Sequence, residues 1–300
     1  MVWRSVMISR PAKLRREHYS LAIEQEETAF VPFEDIAIIV LNHREITLTH
    51  PVLSACAEYG IGLYATGNNH QPAGVFLPFL SHSRTTRLMR KQLDISRPAA
   101  KQAWANIVRR KIENQAACLH LAKRKGSDRL ESYARRVRSG DSENLEGQAA
   151  AFHFTQLFGA GFQRAEERWA NAALDYGYAV LRGAIARGLV AHGLHPTIGL
   201  FHDSEQNAFN LADDLIEPFR PLVDLHVFKH PPAVEAELAP ADKAALVALL
   251  NVDVDMPQGR MSALSAVEYA VESLARLYEE GDCELHLPRL IGLQPHRLEC

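Results

Sequence analysis

The sequence has no long hydrophobic run and few cysteines, and both absences exclude whole classes of protein. No window reaches about eighteen uncharged apolar residues, so no membrane-spanning helix is predicted. The four cysteines, Cys56, Cys118, Cys283 and Cys300, are widely separated and form no C-x-x-C pair, which argues against a zinc site or a disulfide framework. The N-terminus lacks a charged start followed by an apolar core, so the sequence predicts a cytoplasmic protein with reduced thiols.

The net charge of −3 conceals an uneven distribution of charge along the chain. Residues 84–138 contain sixteen Lys and Arg and four acidic residues, whereas residues 139–300 contain eleven basic and twenty-four acidic ones. A basic middle next to an acidic C-terminal part is typical of a polyanion-binding surface beside a cation-binding pocket. The alternative is that these charges only cover solvated helix faces, and the counts leave both interpretations open.

The spacing of apolar residues predicts an α+β protein. Short β-branched or aromatic runs separated by polar turns predict strands at 2–8, 19–24, 28–32, 37–41, 45–49, 61–66 and 74–77, with a short helix at 52–59. Three- and four-residue spacing then predicts helices at 83–94, 98–123, 145–158, 166–191, 210–223, 240–251 and 262–280. The prediction is a small β-rich, sandwich-like N-terminal domain over residues 1–80 and a larger all-α C-terminal domain over residues 81–300.

Glu146 is the first candidate for chemistry, because it lies near the start of a predicted helix with small residues on nearly every face. Such a helix packs closely against its neighbours, so the carboxylate is expected to be buried or half-buried. Asp141 or Ser142 can cap the helix. The alternative is an ordinary first-turn glutamate that the helix dipole stabilises.

A second stretch, residues 199–224, places an imidazole close to several carboxylates. His202 follows a short apolar run, and a lone histidine among fourteen has surface or core packing as its alternative role. Asp213 and Glu217 are four residues apart, so both project from one face of a continuous helix. Oxygen-rich ligands with one imidazole suit Mg²⁺ or Mn²⁺ better than structural zinc. The alternative is a salt-bridged acidic helix with Arg220 as the counter-charge.

These stretches resemble a known family. Leu145-Glu-Gly-Gln-Ala-Ala, the Gly199-Leu-Phe-His turn and above all Asn207-Ala-Phe-Asn-Leu-Ala-Asp-Asp-Leu-Ile-Glu-Pro-Phe-Arg-Pro-Leu-Val-Asp look like the CRISPR-associated integrase of spacer acquisition, the first-numbered Cas protein. The likeness extends over essentially the whole chain. The length and the Glu217-Pro-Phe-Arg-Pro sequence resemble the type II branch of that family.

The resemblance implies a set of ligands and an activity. Glu146, His202 and Glu217 correspond to the catalytic metal ligands of the type II branch, and Asp213 matches the aspartate that other branches use. Asn210 departs from members that carry a further aspartate there. The family implies a Mg²⁺- or Mn²⁺-dependent reaction in which the 3′-hydroxyl of a short DNA duplex attacks a phosphodiester of the CRISPR repeat. It also implies a homodimer that joins the second CRISPR adaptation protein in a larger complex.

The basic residues of the middle part are predicted to bind the phosphate backbone of double-stranded DNA, which positions DNA without reading its sequence. The predicted contacts are Arg84, Arg87, Arg90, Lys91, Arg109, Arg110 and Lys111. Residues 10–18, interpreted as a basic loop, are a further candidate, and each arginine taken alone has a solvated surface role as its alternative. Two other functions stay open: a Mg²⁺- or Mn²⁺-dependent nuclease of DNA repair or recombination, and a DNA-binding scaffold without catalytic activity.

Overall fold

The computed structural model describes residues 4–67, 72–79, 82–234, 237–281 and 284–296, and its N-terminal part contains two four-stranded sheets. The strands are β1 (Arg4–Ile8), β2 (Ala12–Glu17), β3 (Ser20–Glu24), β4 (Thr28–Pro32), β5 (Ile36–Leu41), β6 (Ile46–Leu48), β7 (Gly62–Thr66) and β8 (Pro72–Phe76). One sheet has the order β1-β5-β7-β8 and the other the order β4-β3-β2-β6. In the first sheet β1, β5 and β7 are parallel and β8 is antiparallel.

The two sheets and one helix share a hydrophobic core, which confirms the predicted β-rich N-terminal part. Leu14 and Leu21 come from the second sheet, Ile39 from the first, and Val52 and Cys56 from the helix α1 (His50–Glu58), and all five are fully buried. Within the described residues the free thiols are those of Cys56 and Cys118, while Cys283 and Cys300 lie outside that part of the chain.

The interpretation of residues 10–18 as a loop is wrong, because Ala12–Glu17 is the strand β2. Leu14 is buried in the core, and the basic residues next to it, Lys13, Arg15 and Arg16, stay near the surface. Arg15 forms ion pairs with Glu24 and Glu17, and Arg16 pairs with Glu58 at 3.0 Å. A strand of alternating apolar and charged residues is easily mistaken for a polar loop when only one of its side chains is a large apolar one.

The strand β5 lies between the core of the N-terminal sheets and the core of the helical part. Its continuous apolar run is typical of a strand covered on both faces: Ile39 faces the N-terminal core, whereas Ile38 and Val40 belong to the core of the helical part. On the neighbouring strand, the hydroxyl of Tyr64 donates to the carbonyl of Gly183 at 2.5 Å. A Cβ atom at Gly183 would lie 2.8 Å from that ring, so the contact requires glycine. The domain boundary at residue 80 stays a prediction.

The helical part is arranged around one long central helix. The helices are α2 (Thr85–Leu93), α3 (Arg97–Leu121), α4 (Ser127–Arg136), α5 (Leu145–Phe158), α6 (Trp169–Ala191), α7 (Asn210–Leu215), α8 (Arg220–Lys229), α9 (Pro240–Ala248) and α10 (Ala263–Glu280). The helix α3 packs against α4, α5 and α8, and its predicted apolar stripe is buried, as expected, at Trp104, Ile107, Val108, Ile112 and Ala116. None of the helices in the described ranges is both long and apolar enough to cross a membrane.

The prediction of an all-α C-terminal part is wrong in one respect, because this part contains a third sheet. Its strands are β9 (Val252–Met256), β10 (Gly259–Ser262) and β11 (Arg289–Pro295), in the antiparallel order β10-β9-β11. Each strand is short, and β11 pairs with β9 from more than thirty residues away along the sequence. A local pattern does not reveal a pairing of this kind. The overall α+β class is confirmed.

A histidine near the end of α8 makes the stability of the helical part depend on pH. Burial lowers the pKa of His226 to about 4, and the nearby His230 adds to the shift. In the unfolded chain the pKa returns to about 6.5, so the unfolded state binds the proton more readily than the folded state. The stability that depends on a neutral His226 is therefore fully present above pH 6.5, and it is lost as the pH falls from about 6.5 to 4.

We therefore expect that His226→Gln removes about 1–2 kcal/mol of the acid-induced loss of unfolding free energy between about pH 6.5 and 4. The effect is smaller than the whole pKa difference would give, because His226 is only partly buried and water screens its charge. Urea unfolding at a series of pH values measures the effect, with His50→Gln as a control at an exposed histidine. Parallel stability curves for wild type and His226→Gln would contradict this prediction.

Candidate functional site

Two side chains cap the helix that carries Glu146. The carboxylate of Asp141 accepts the backbone N–H groups of Leu145 and Glu146 at 3.0 and 2.9 Å, and Asn144 accepts that of Gly147 at 3.3 Å. The expected cap by Asp141 is confirmed, and Asn144 is a second one. These bonds satisfy the free N–H groups of the first turn. They fix the backbone from which the Glu146 side chain, 29% exposed, projects.

Lys111, on α3, joins Glu146 to Glu217. Its Nζ atom contacts Oε1 of Glu146 and Oε2 of Glu217, and the side chains of Lys111 and Glu217 are each only 7% exposed. Burial by itself would lower the pKa of Lys111, but the attraction of Glu217 and Glu146 outweighs burial and raises it. The ammonium is therefore charged at neutral pH. Charges buried to this extent require such partners.

Arg109, Arg110 and Lys111, which the sequence predicts as DNA contacts, do not lie on one surface of α3 in the structure. Successive residues of an α-helix point about 100° apart, so three in a row cannot share one face. Arg109 donates to the carbonyl of Val137 at 3.1 Å, and Arg110 pairs with Glu113 at 3.1 Å. Lys111 is a buried residue of the site rather than a surface contact, which corrects its predicted position. DNA binding by Arg109 and Arg110 stays a prediction.

The remaining predicted DNA contacts lie together along α2. Arg84, Arg87, Arg90 and Lys91 are all exposed, while Leu88 and Gln92 of the same helix are buried. Arg87 also forms an ion pair with Glu279 at 3.5 Å. These four residues thus form one basic surface, which we call the α2 surface.

Two prolines determine the backbone at Glu217. The helix predicted over residues 210–223 is split, because α7 ends at Leu215 and a 3-10 helix, Glu217–Phe219, precedes α8. Pro218 and Pro221 have no N–H group and cannot donate to a continuous α-helical ladder. As a result, Asp213 and Glu217 do not share the same partners, as they would on one face of a continuous helix.

Glu217 is held by two cations. Arg220 donates from Nε to Oε1 at 2.9 Å, and Lys111 contacts Oε2. Burial alone would raise the pKa of Glu217, but the charges of Arg220 and Lys111 outweigh burial and lower it. The group is therefore an ionised carboxylate that can bind a cation.

Asp213, the alternative ligand, lies in a different environment. Its Oδ2 atom accepts a hydrogen bond from the side-chain amide of Asn207 at 2.7 Å, and its Oδ1 atom lies 3.8 Å from a guanidinium nitrogen of Arg182. The structure therefore brings Glu217, and not Asp213, against Lys111 and Glu146.

A carboxylate that the sequence did not single out, Asp214, holds the loop that carries His202. Its Oδ2 atom accepts the N–H groups of Leu200 and Phe201 at 2.6 and 3.1 Å, and its Oδ1 atom accepts that of His202 at 3.1 Å. The same Oδ1 lies 2.7 Å from Nδ1 of the imidazole. Asp214 is fully buried, whereas the His202 side chain is 41% exposed.

The bond to Asp214 decides which nitrogen of His202 is available for metal binding. Since Asp214 occupies Nδ1, Nε2 is the ring nitrogen that can bind a metal, as in other carboxylate–histidine pairs. The hydrogen bond to Asp214 raises the pKa of His202 against the opposing effect of burial, and the charges of Asp214, Glu217 and Asp213 add to the rise. The ring also lies edge-on to Trp104, with 5.7 Å between the centroids.

An arginine-lined cavity adjoins Glu217. Its volume is about 270 Å³, and its lining includes three arginines and two carboxylates: Arg164, Arg182, Arg220, Asp175 and Asp213. Arg220 belongs to both sites, because it pairs with Glu217 and its guanidinium lies 4.6 Å from the centre of the Tyr178 ring. Guanidinium groups in such a cavity are well suited to bind phosphate oxygens.

Comparison with known proteins identifies the family. Residues 6–231 match the family described as CRISPR associated protein Cas1. The chain is also 42% identical, over 308 aligned positions covering 100% of both sequences, to the CRISPR-associated endonuclease Cas1 of Neisseria meningitidis serogroup C. The chain belongs to the Cas1 family. The resemblance inferred from the motifs is thus confirmed, and the match is consistent with the type II branch.

Two solved structures share the Cas1 fold of this chain. A casposase bound to an integration product superimposes with a TM-score of 0.76 at 17% identity, covering 95% of this chain and 92% of the casposase chain. A chain of a partial Cas6-RT-Cas1–Cas2 complex gives a TM-score of 0.62 at 16% identity, covering 93% and 96%. At these identities the similarity concerns the fold alone.

The residues of this Cas1 chain fit a hard divalent cation by their chemistry. Two carboxylates and an imidazole are suitable ligands for Mg²⁺ or Mn²⁺, and Glu146 and Glu217 already converge on one cation, the Lys111 ammonium. His202 is close enough to Glu217 for each charge to shift the other's pKa. Within the described ranges, however, no three His, Cys, Asp or Glu side chains are spaced to hold a metal ion. In the structure the cation between Glu146 and Glu217 is thus the ammonium of Lys111.

Proposed function

We propose that this Cas1 chain is a metal-dependent DNA integrase and endonuclease that inserts short DNA duplexes into a CRISPR array. The observation that supports the proposal most directly is the convergence of Glu146 and Glu217 on one buried cation, beside a histidine held by Asp214. The Neisseria relative is named an endonuclease, and the casposase is described as bound to an integration product.

Glu146, Glu217 and His202 would hold Mg²⁺ or Mn²⁺, with Asp213 as an alternative ligand. A bound divalent ion would withdraw charge from the scissile phosphate and stabilise the charge that develops in phosphoryl transfer. The other residues act by position. Asp214 orients the imidazole of His202 through Nδ1. Arg220 binds Oε1 of Glu217. The other oxygen, Oε2, contacts Lys111, which also contacts Glu146.

The reaction needs no nucleophile from the protein. The 3′-hydroxyl oxygen of the incoming strand bonds to the phosphorus of a repeat phosphodiester, and the bond from that phosphorus to the 3′-oxygen of the cut strand breaks. The attacking hydroxyl loses its proton to water, and the departing 3′-oxygen gains one. One phosphodiester thus replaces another, and a second transfer joins the opposite strand. Water in place of the 3′-hydroxyl would give endonuclease activity.

Double-stranded DNA would bind at two places. The arginines of the cavity beside Glu217 would bind phosphate oxygens close to the reaction, and the α2 surface would bind the backbone of the duplex. Neither set of contacts reads bases, which suits a protein that must accept duplexes of any sequence.

DNA affinity is expected to fall steeply, by about 10³-fold or more, between roughly 50 and 200 mM salt if six or more phosphates are bound. Replacing Arg87, Arg90 and Lys91 together by alanine is expected to lower the salt-dependence slope by roughly 2 to 3, because three counterion-releasing contacts are lost. Fluorescence anisotropy with a labelled duplex measures both effects. Arg260→Ala, at an exposed arginine outside the basic segment, is the control, and an unchanged slope in the triple variant would exclude the α2 surface.

A strand-transfer assay separates the integrase from a repair or recombination nuclease, because both would use the same site. A labelled short duplex is incubated with supercoiled plasmids that carry or lack a CRISPR repeat, in the presence of Mn²⁺. The integrase is expected to join the duplex to the repeat-bearing plasmid. Cutting of both plasmids without joining would favour the general nuclease, and binding without either reaction would favour a scaffold.

The proposed assembly is a homodimer that joins the second CRISPR adaptation protein, and the similarity in fold to a chain of a partial Cas6-RT-Cas1–Cas2 complex supports it. The exposed edges of the N-terminal sheets need protection, and Phe30 on the edge strand β4 is 53% exposed. Light scattering is expected to give twice the mass of the chain, and a single-chain mass at micromolar concentration would contradict the dimer.

A further inference from the structure

Lys111 reaches both carboxylates of the proposed metal site from the buried face of α3. Its Nζ atom contacts Oε1 of Glu146 and Oε2 of Glu217. The other oxygen of Glu217 accepts from Arg220 at 2.9 Å. The oxygen of Glu217 that would be left for a metal is therefore the one that the ammonium already contacts.

The ammonium and a divalent ion compete for the same oxygens. Mg²⁺ requires oxygen ligands at about 2.1 Å in nearly octahedral directions, and an ammonium in contact with Oε1 of Glu146 and Oε2 of Glu217 occupies part of the space that the ion and its ligands need. Two cations between the same carboxylates would also repel each other strongly in a half-buried site. Entry of the divalent ion therefore favours departure of the ammonium.

Of the two cations at Glu217, Lys111 is the one able to move. The guanidinium of Arg220 is fixed by Glu217 and by the ring of Tyr178, 4.6 Å away. Lysine, in contrast, carries a compact charge on a flexible four-carbon stem. Rotation about the bonds of that stem can displace the ammonium without any movement of α3.

We propose that Lys111 is an exchangeable counter-ion: its ammonium holds Glu146 and Glu217 together before the metal binds, and it leaves them when a divalent ion enters. This inference rests on the metal dependence proposed above. It explains how the chain tolerates two neighbouring carboxylates without metal, and it implies that the metal affinity is reduced by the free energy needed to displace the ammonium.

Calorimetric titration of the full chain with MnCl₂, in the absence of DNA, tests the exchange. Lys111→Met keeps the length of the side chain and removes its charge, and Lys101→Met removes a charge from an exposed position of the same helix. Lys111→Met is expected to bind Mn²⁺ about tenfold more tightly than wild type, and Lys101→Met as wild type does. The metal-free Lys111→Met protein is expected to melt at a lower temperature and to gain more from added Mn²⁺, since its carboxylates lack their counter-ion.

Wild-type crystals grown with MnCl₂ decide the question independently, even if Lys111→Met does not fold. The expected result is anomalous density between Glu146 and Glu217 with Nζ of Lys111 out of contact with both carboxylates. Mn²⁺ bound there with the ammonium still in place, or Mn²⁺ bound equally by wild type and Lys111→Met, would overturn the exchange alone. If neither protein binds Mn²⁺, the proposed metal dependence is wrong, and the exchange with it.

Discussion

Glu146→Gln is expected to lose strand transfer while it keeps its fold and its affinity for DNA. The substitution preserves the shape of the side chain and removes the charge that a divalent ion would bind. Loss of such a ligand removes several kcal/mol of transition-state stabilisation, so the rate should fall by about 10³-fold or more. The caps at the start of α5 come from Asp141 and Asn144, so the helix itself should not be affected.

Glu143→Gln is the matched control, because Glu143 lies three residues earlier, on the surface, and pairs with Arg136. Joining of a labelled duplex to a repeat-bearing plasmid measures strand transfer, anisotropy measures DNA affinity, and thermal unfolding measures the fold. Normal integration by Glu146→Gln with Mn²⁺ present would remove Glu146 from the ligand set. Loss of DNA binding together with activity would instead point to a role in holding DNA.

Much of the fold could be predicted because its signals are local. The apolar stripe of α3 and the short strands of the N-terminal part are periodic patterns that the sequence displays directly. The strands β2, β9 and β11 could not be predicted in this way. β2 shows only one large buried side chain, Leu14, among basic residues, and β11 pairs with β9 from more than thirty residues away along the sequence.

The site shows the same division between local and tertiary signals. Glu146, His202 and Glu217 were predicted because they lie in two distinctive stretches. Lys111 was predicted as a DNA contact, although its spacing from Ile107 and Val108 places it on the buried stripe, and a charge at that position requires a counter-charge. That counter-charge comes from α5 and the 3-10 helix, which no local pattern on α3 reveals.

Asp214→Ala is expected to destabilise the protein by about 3 kcal/mol, because three partly buried N–H groups lose their acceptor at a cost of roughly 1 kcal/mol each. Asp214 accepts hydrogen bonds from the backbone of Leu200, Phe201 and His202 and contacts the His202 ring. The substitution releases both the loop and the imidazole. Strand transfer should therefore be lost even at temperatures at which the variant is folded, since Nε2 of His202 no longer has a fixed orientation.

Asp213→Ala, at the adjacent position, is the control. It removes one negative charge from the same helix and leaves the hydrogen bonds of Asp214 to the His202 loop in place. Asp213 accepts one hydrogen bond from Asn207 and is partly exposed, so we expect a cost of only about 1 kcal/mol. Urea unfolding gives both free energies, and integration is assayed below the melting temperature of each variant. A cost for Asp214→Ala no larger than that of Asp213→Ala, with integration intact, would mean that the His202 loop holds its conformation without the carboxylate. In that case the orientation of the imidazole would have to come from its packing against Trp104.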